Sequence, residues 1–286
     1  MPAIEGPLQK LIVKYDDPVT YTLALGNESQ DQLALNPVLG SALEIRFLDR
    51  ISCRFCESLT PKSYGDGYCY PCFKRLARCD LCVMSPDRCH YDQGTCREPG
   101  WGESFCMQPH IVYLANSSGP KVGITRAGNE IGRWLDQGAC QALPILAAAT
   151  RQGAGFAEVS LARYLPDRTD WRLLVARDAT PVDLPELRDE LKAETTVLPE
   201  GVTWLDEQPL SFNYPVTQYG HQLKRLRIDE ARVIAGNLMG IKGQFLLFEH
   251  GVFNVRQHTS YHVRITAPGA PAAFNIGGSD QMELFS

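Results

Sequence analysis

No stretch of this sequence approaches the ~20 consecutive apolar residues that a membrane-spanning helix requires, so no membrane partner is expected. Its opening residues, MPAIEGPLQK, contain no basic segment followed by an apolar one. A secretory signal is therefore not expected, and the expected compartment is cytoplasmic. Positive charge is not in excess: 28 Lys and Arg stand against 33 Asp and Glu, a net charge of −5. That disfavours a non-specific nucleic-acid coat, which needs broad phosphate neutralisation, but allows a local basic face. No internal repeat is visible. Charged residues make up only 21% and hydrophobic residues 44% of the 286 positions, enough for a buried core divided among two or three modules.

Cysteine, by contrast, is abundant and clustered. Nine of the ten cysteines lie between Cys53 and Cys106. In a reducing compartment such cysteines are metal ligands more often than disulfides. The pairs Cys53-x-x-Cys56 and Cys69-x-x-Cys72 each put two thiolates on one turn, within reach of a tetrahedral ion. Glycines in SYGDGYCYPC suit a tight turn before the second pair. Together they predict a structural Zn²⁺ in a zinc ribbon or treble-clef module. A second site is expected from Cys79, Cys82, Cys89 and Cys96, with Cys106 or His90 as alternative fourth ligands. An iron–sulfur cluster is the alternative to zinc, since four thiolates suit either.

The remaining pattern divides the chain. Residues 1–52 form short apolar runs bounded by turn residues and read as strands, followed by the Cys-rich module at 53–108. Residues 109–178 mix strands (HIVYLA, KVGIT) with helically spaced segments (EIGRWLDQ, FAEVSLARYL). A helical linker is expected over 179–210, with PVDLPELRDELKAE as an amphipathic helix carrying proline near its start. Strands return over 211–266, and Pro, Gly, Ala and Ser predict a flexible tail over 267–286. The fold class is α+β: a β-rich, barrel-like module from both chain ends, a zinc module, and a small α/β core.

Within that core, HIVYLANSSGPKVGITRAGNEIGRWLDQGA reads as strand, turn, strand, helix. Tyr113 lies on the first strand, Gly123 on the second, Arg133 on the helix, and Glu158 on a later helix. This order resembles the GIY-YIG nuclease superfamily over roughly residues 110–175, above all its branch in which lysine (here Lys121) stands at the second motif's tyrosine. The chain is also similar to an uncharacterised bacterial family, domain of unknown function 2797, through GYCYPC, VGITR and GIKGQ. The first resemblance implies phosphodiester hydrolysis. Glu158 would hold one Mg²⁺ or Mn²⁺ and Arg133 would grip the developing charge. Tyr113, with its pKa lowered by a cation such as Lys121, would take a proton from water.

Lys224, Arg225, Arg227, Lys242, Arg256 and His258 suggest a basic patch, with Phe245 or Phe253 for stacking; burial of these aromatics in a barrel is the competing expectation. The terminal QMELF resembles the bacterial sliding-clamp-binding peptide, with Gln281, Leu284 and Phe285 as its anchors. As a random coil, the preceding residues would let it reach a pocket ~20 Å away. The expected function is a metal-dependent DNA endonuclease of replication or repair, tethered to the clamp. The alternatives are a non-catalytic, zinc-stabilised DNA-binding or clamp adaptor, and an RNA-processing or RNA-modifying enzyme.

Overall fold

The computed structural model describes residues 3–29, 31–165, 169–195, 197–220, 224–269 and 274–275. The N-terminal part contains β1 (Ala3–Pro7), β2 (Ile12–Lys14), β3 (Thr20–Leu25), β4 (Asp31–Ala34) and β5 (Ala42–Ile51). The Cys-rich stretch holds three short helices, α1 (Tyr70–Arg75), α2 (Leu81–Met84) and α3 (Pro99–Phe105). Next come β6 (His110–Asn116), β7 (Pro120–Arg126), α4 (Glu130–Asp136), β8 (Gln141–Ala148) and α5 (Arg151–Leu161). Two more helices, α6 (Trp171–Ala176) and α7 (Leu184–Glu194), precede the short strands β9 (Val202–Trp204) and β10 (Leu210–Ser211). The chain continues through β11 (Arg225–Leu226), α8 (Ile228–Ala231), β12 (Val233–Lys242), β13 (Phe245–Phe248), β14 (Gly251–Asn254), β15 (Tyr261–Thr266) and β16 (Phe274–Asn275). Among the described residues, no helix is long and apolar enough to cross a membrane.

Strands from both chain ends share sheets. One sheet runs β1-β15-β5-β12-β13-β14-β11, and another runs β16-β4-β3-β2. They face each other across one core that includes Ile4, Leu23, Leu33, Ile45, Ile234 and Val263. The barrel-like expectation is corrected here, because the sheets are open. β12 pairs with β5 through Asn237 and with β13 from Leu238, with a register shift between Leu238 and Gly240. A bulge of this kind bends a sheet. Closure would need the two edges to meet, but β11 is two residues long and runs parallel to β14, so it offers almost no ladder to β1. The core is covered by the second sheet instead. Within the segment expected as a tail, Phe274–Asn275 forms a strand on β4, and Ala267 is buried.

The central sheet orders as β10-β8-β6-β7, with β9 on β8. β6 is its middle strand and is buried on both faces, which is why HIVYLA reads as a continuous apolar run rather than an alternating one. Tyr113 and Ala115 face the β-rich core together with Trp134 and Leu135 of α4. Val112 and Leu114 face a second core with Ala154, Ala157 and Leu161 of α5 and Leu184 and Leu191 of α7. Helices α5 and α7 start on side-chain caps. Thr150 Oγ1 accepts from Gly153 N at 3.1 Å, and Asp183 Oδ1 accepts from Glu186 N at 3.0 Å.

Candidate functional site

Cys53 follows β5 directly, and Cys56 closes the knuckle, where Phe55 N donates to Cys53 Sγ at 3.5 Å. A two-way backbone pairing of Tyr64 with Tyr68 then forms a tight hairpin. Its Gly67 has φ +107, and a Cβ there would lie 2.5 Å from Ser260 Oγ, so only glycine fits both the turn and the contact. Cys69 precedes α1 and Cys72 sits in its first turn. All four sulfurs lie within 4.8 Å of one another. The module's own core is Cys53, Tyr68, Cys69, Cys72 and Leu76, so most of what it buries is ligand sulfur. Two apolar side chains at about 1.5–3 kcal/mol each cannot hold such a unit together, whereas a structural Zn²⁺ contributes about 10–16 kcal/mol. Hydrogen bonds from Ser58 hold Cys56 down at about 6, while burial pushes Cys72 up to about 12. The donor set fits a tetrahedral metal with no position left open for chemistry.

The remaining cysteines group differently from the expectation. Cys79 packs against the first cluster and lines a cavity with Arg54, Tyr68 and Arg97. It is therefore not a partner of Cys82, Cys89 and Cys96. Those three line a separate small cavity together with Cys106, Asp80 and His90. Cys79 ends a turn of 3-10 helix over residues 77–79 and Cys82 lies in α2, with extended backbone at Asp80 between them, so this CxxC pair faces two cavities.

The β6–β7 hairpin pairs Tyr113 with Gly123. A Cβ at position 123 would sit 2.7 Å from Tyr113 Cζ and Oη, so glycine is what lets the ring lie across its neighbour strand. The Tyr113 hydroxyl donates to Gln137 Oε1 at 3.1 Å, and the ring meets Trp134 edge-on at 5.9 Å. Burial raises the Tyr113 pKa; Arg133 pulls it down and the Glu158 charge pushes it up, and burial prevails. The expectation that a cation lowers this pKa below its usual value is thus corrected: Arg133 acts on the hydroxyl, but burial outweighs it. Lys121 is buried opposite Ala115. Glu158 is half-buried on α5, and its charge also reaches Arg151. The structure therefore gathers Tyr113, Gly123, Arg133 and Glu158 into one neighbourhood.

Arg133 opens onto a cleft of about 650 Å³ between the Cys-rich module, the central sheet and the C-terminal strands. Arg126, Arg151 and Arg256 line it as well. Arg126 and Arg151 both stack on the Phe105 ring, at 5.4 and 5.7 Å. Arg151 Nη2 donates to Val83 O at 2.7 Å, and Arg256 bonds Asp66 through Nε at 2.9 Å. Sequence reasoning missed Arg126, Arg151 and Phe105. Arg126 does close the VGITR stretch, but nothing local marks the other two.

A larger neighbouring cleft, about 800 Å³, contains Arg225, Arg227 and Arg232 with Asp49, Asp66 and Asp229. Of the expected basic patch, Lys242 and His258 are buried, as are both proposed stacking residues, Phe245 and Phe253. Lys242 Nζ donates to Asp178 Oδ1 at 2.8 Å and to Tyr219 Oη at 3.2 Å. The hairpin that carries it, GIKGQ, is a docking tip: a Cβ on Gly243 would lie 3.0 Å from Gly138 N, at the end of α4. Gln281, Leu284 and Phe285 lie outside the described residues.

Residues 40–263 match a family model described as "Protein of unknown function (DUF2797)". No curated protein and no solved structure matches the chain.

Proposed function

The chain belongs to that family, whose description assigns no activity, and we propose that it grips a nucleic-acid backbone in the arginine-lined cleft and cuts a phosphodiester bond beside Arg133. The observation that carries this is the convergence of Arg126, Arg133, Arg151 and Arg256 on one cleft from separate parts of the chain. Arg126 and Arg151, stacked on a ring or bonded to a neutral carbonyl, keep their charge for a phosphate, whereas Arg256 is held by Asp66. A cleft with that lining accounts for backbone binding by a protein of net charge −5.

Cleavage is supported by the order β6-β7-α4-β8-α5, with Tyr113 against Gly123, Arg133 on α4 and Glu158 on α5, the arrangement the GIY-YIG resemblance implies. Glu158 would hold a Mg²⁺ or Mn²⁺ that neutralises charge on the phosphate. Arg133 binds the phosphate oxygens, and Tyr113 fixes the Gln137 side chain and the wall behind Arg133. The substrate is DNA, and the terminal QMELF sequence supports delivery by a sliding clamp. A non-catalytic binding adaptor is the second reading. Complete burial of Tyr113, with its raised pKa, favours it.

Fluorescence anisotropy and gel-based cleavage of flapped, nicked and single-stranded DNA, and of matched RNA, test both readings. Binding and Mn²⁺-dependent cleavage that both fall in Arg133→Ala support the nuclease. Arg133-dependent binding with no cleavage of any substrate moves the conclusion to the adaptor. Preference for RNA replaces the DNA assignment. Failure to bind either at low salt rejects the cleft as a nucleic-acid site.

A further inference from the structure

We infer that the chain holds a second zinc ion, on Cys82, Cys89, Cys96 and Cys106. These four cysteines come from α2, two loops and the end of α3, and they line one cavity of about 20 Å³, room for a single small ion rather than a ligand. Gly102 lets the Tyr91 ring pack closely on α3, since a Cβ there would lie 3.1 Å from it.

The nearby oxygen and nitrogen donors are already engaged. Asp80 Oδ2 holds Arg97 Nε at 2.7 Å, and its Oδ1 accepts from Leu81 N at 2.6 Å. His90 Nδ1 lies 2.8 Å from Thr95 Oγ1. His90 Nε2 faces Asp80 at 3.5 Å, and this pair borders the same cavity as the sulfurs. Asp80, Cys82 and His90 are near enough to one another to form a competing three-donor set. Both non-sulfur donors of that set already have other partners, Asp80 in Arg97 and Leu81, and His90 in Thr95.

The ligand loops also hold α5. Arg151 N donates to Cys106 O at 2.8 Å, and Gln152 Nε2 donates to Cys89 O at 3.1 Å. Gly155 packs so closely on the turn before Cys89 that a Cβ there would lie 2.7 Å from Asp87 N. The ion therefore fixes the helix that brings Arg151 to the cleft, through backbone carbonyls of its own ligands.

Metal content of the purified full chain tests the site. Two zinc equivalents are expected in the natural protein and in Cys79→Ser, and one in Cys96→Ser. Cys106→His keeps two metals, and after cobalt substitution its d–d bands move to shorter wavelength, because imidazole is a stronger-field ligand than thiolate. That variant and Cys79→Ser carry the test if Cys96→Ser does not fold. One equivalent in the natural protein, loss of an ion in Cys79→Ser, or a cobalt spectrum unchanged in Cys106→His overturns the assignment. Iron with acid-labile sulfide overturns the identity of the ion.

Discussion

Two clefts share Asp66 and Gln257 along their rims, and both are lined by arginine. In the larger, Arg227 bonds Asp229 at 2.7 Å and Glu230 at 3.0 Å, and Arg232 pairs with Asp49. In the smaller, Arg126 and Arg151 stack on Phe105, and Arg151 bonds a neutral carbonyl. The larger cleft thus neutralises Arg227 and Arg232, while the smaller positions Arg126 and Arg151 with their charge intact and spends only Arg256, on Asp66. Clustering of basic residues along the sequence, at Arg225, Arg227 and Arg232, marks the larger cleft rather than the smaller. What matters for a phosphate is whether a carboxylate already holds the guanidinium.

The comparison breaks or holds most visibly on the small cleft. In Arg126→Ala/Arg133→Ala, oligonucleotide affinity is expected to fall about a hundredfold at low salt, about tenfold per lost charged contact. The slope of log affinity against log salt should shrink by about two. Anisotropy titrations across a salt series measure both quantities; a change under threefold would reject the cleft.

Behind that cleft, Gly123→Ala is expected to destabilise the fold by about 1–3 kcal/mol, because the new methyl group meets the Tyr113 ring and β6 cannot move. Denaturant melts measure it, and shortening the ring in Gly123→Ala/Tyr113→Leu should recover part of the loss. Recovery of none would show that the clash is not the cause.

Lys242 carries the contrast to its limit, since its charge is wholly buried and used inside the fold. Asp178→Asn removes its counter-charge and should cost about 1–3 kcal/mol, with Lys242→Met costing less because no buried charge remains. Burial raises the Asp178 pKa, but the hydrogen bonds from Lys242 and Tyr219 outweigh it, and the net shift is downward. A depressed carboxylate contributes stability above its unfolded pKa of about 3.9 and loses it as pH falls below that. The acid limb of a melting-temperature profile should flatten in Asp178→Asn; an unchanged limb would remove Asp178 from the account.

The smallest effect belongs to the large cleft. Arg227→Ala/Arg232→Ala should change oligonucleotide affinity by less than about threefold, since exposed ion pairs already hold both groups. A loss matching that of the small-cleft variant would erase the distinction between the clefts.

Legibility followed the range of the interaction. The first cysteine cluster is readable because each CxxC pair is a local device: one turn presents two sulfurs whatever surrounds it. Tyr113, Gly123, Arg133 and Glu158 could be picked out by their order along strands and helices. The second cluster misleads at Cys79, where the same spacing straddles a turn that sends the two thiols to different cavities.

What the sequence determined by itself was the kind of parts: a cysteine module too small to fold on apolar contacts, a strand buried on both faces, and strands at both ends of the chain. Tertiary structure decided that the end strands form open sheets, because β12 bends and β11 is too short to close them. It decided which cavity each cysteine faces. It also decided which arginines face a cleft with their charge unspent, because neutralisation depends on partners far along the chain: Arg256 meets Asp66, and Arg151 meets Phe105.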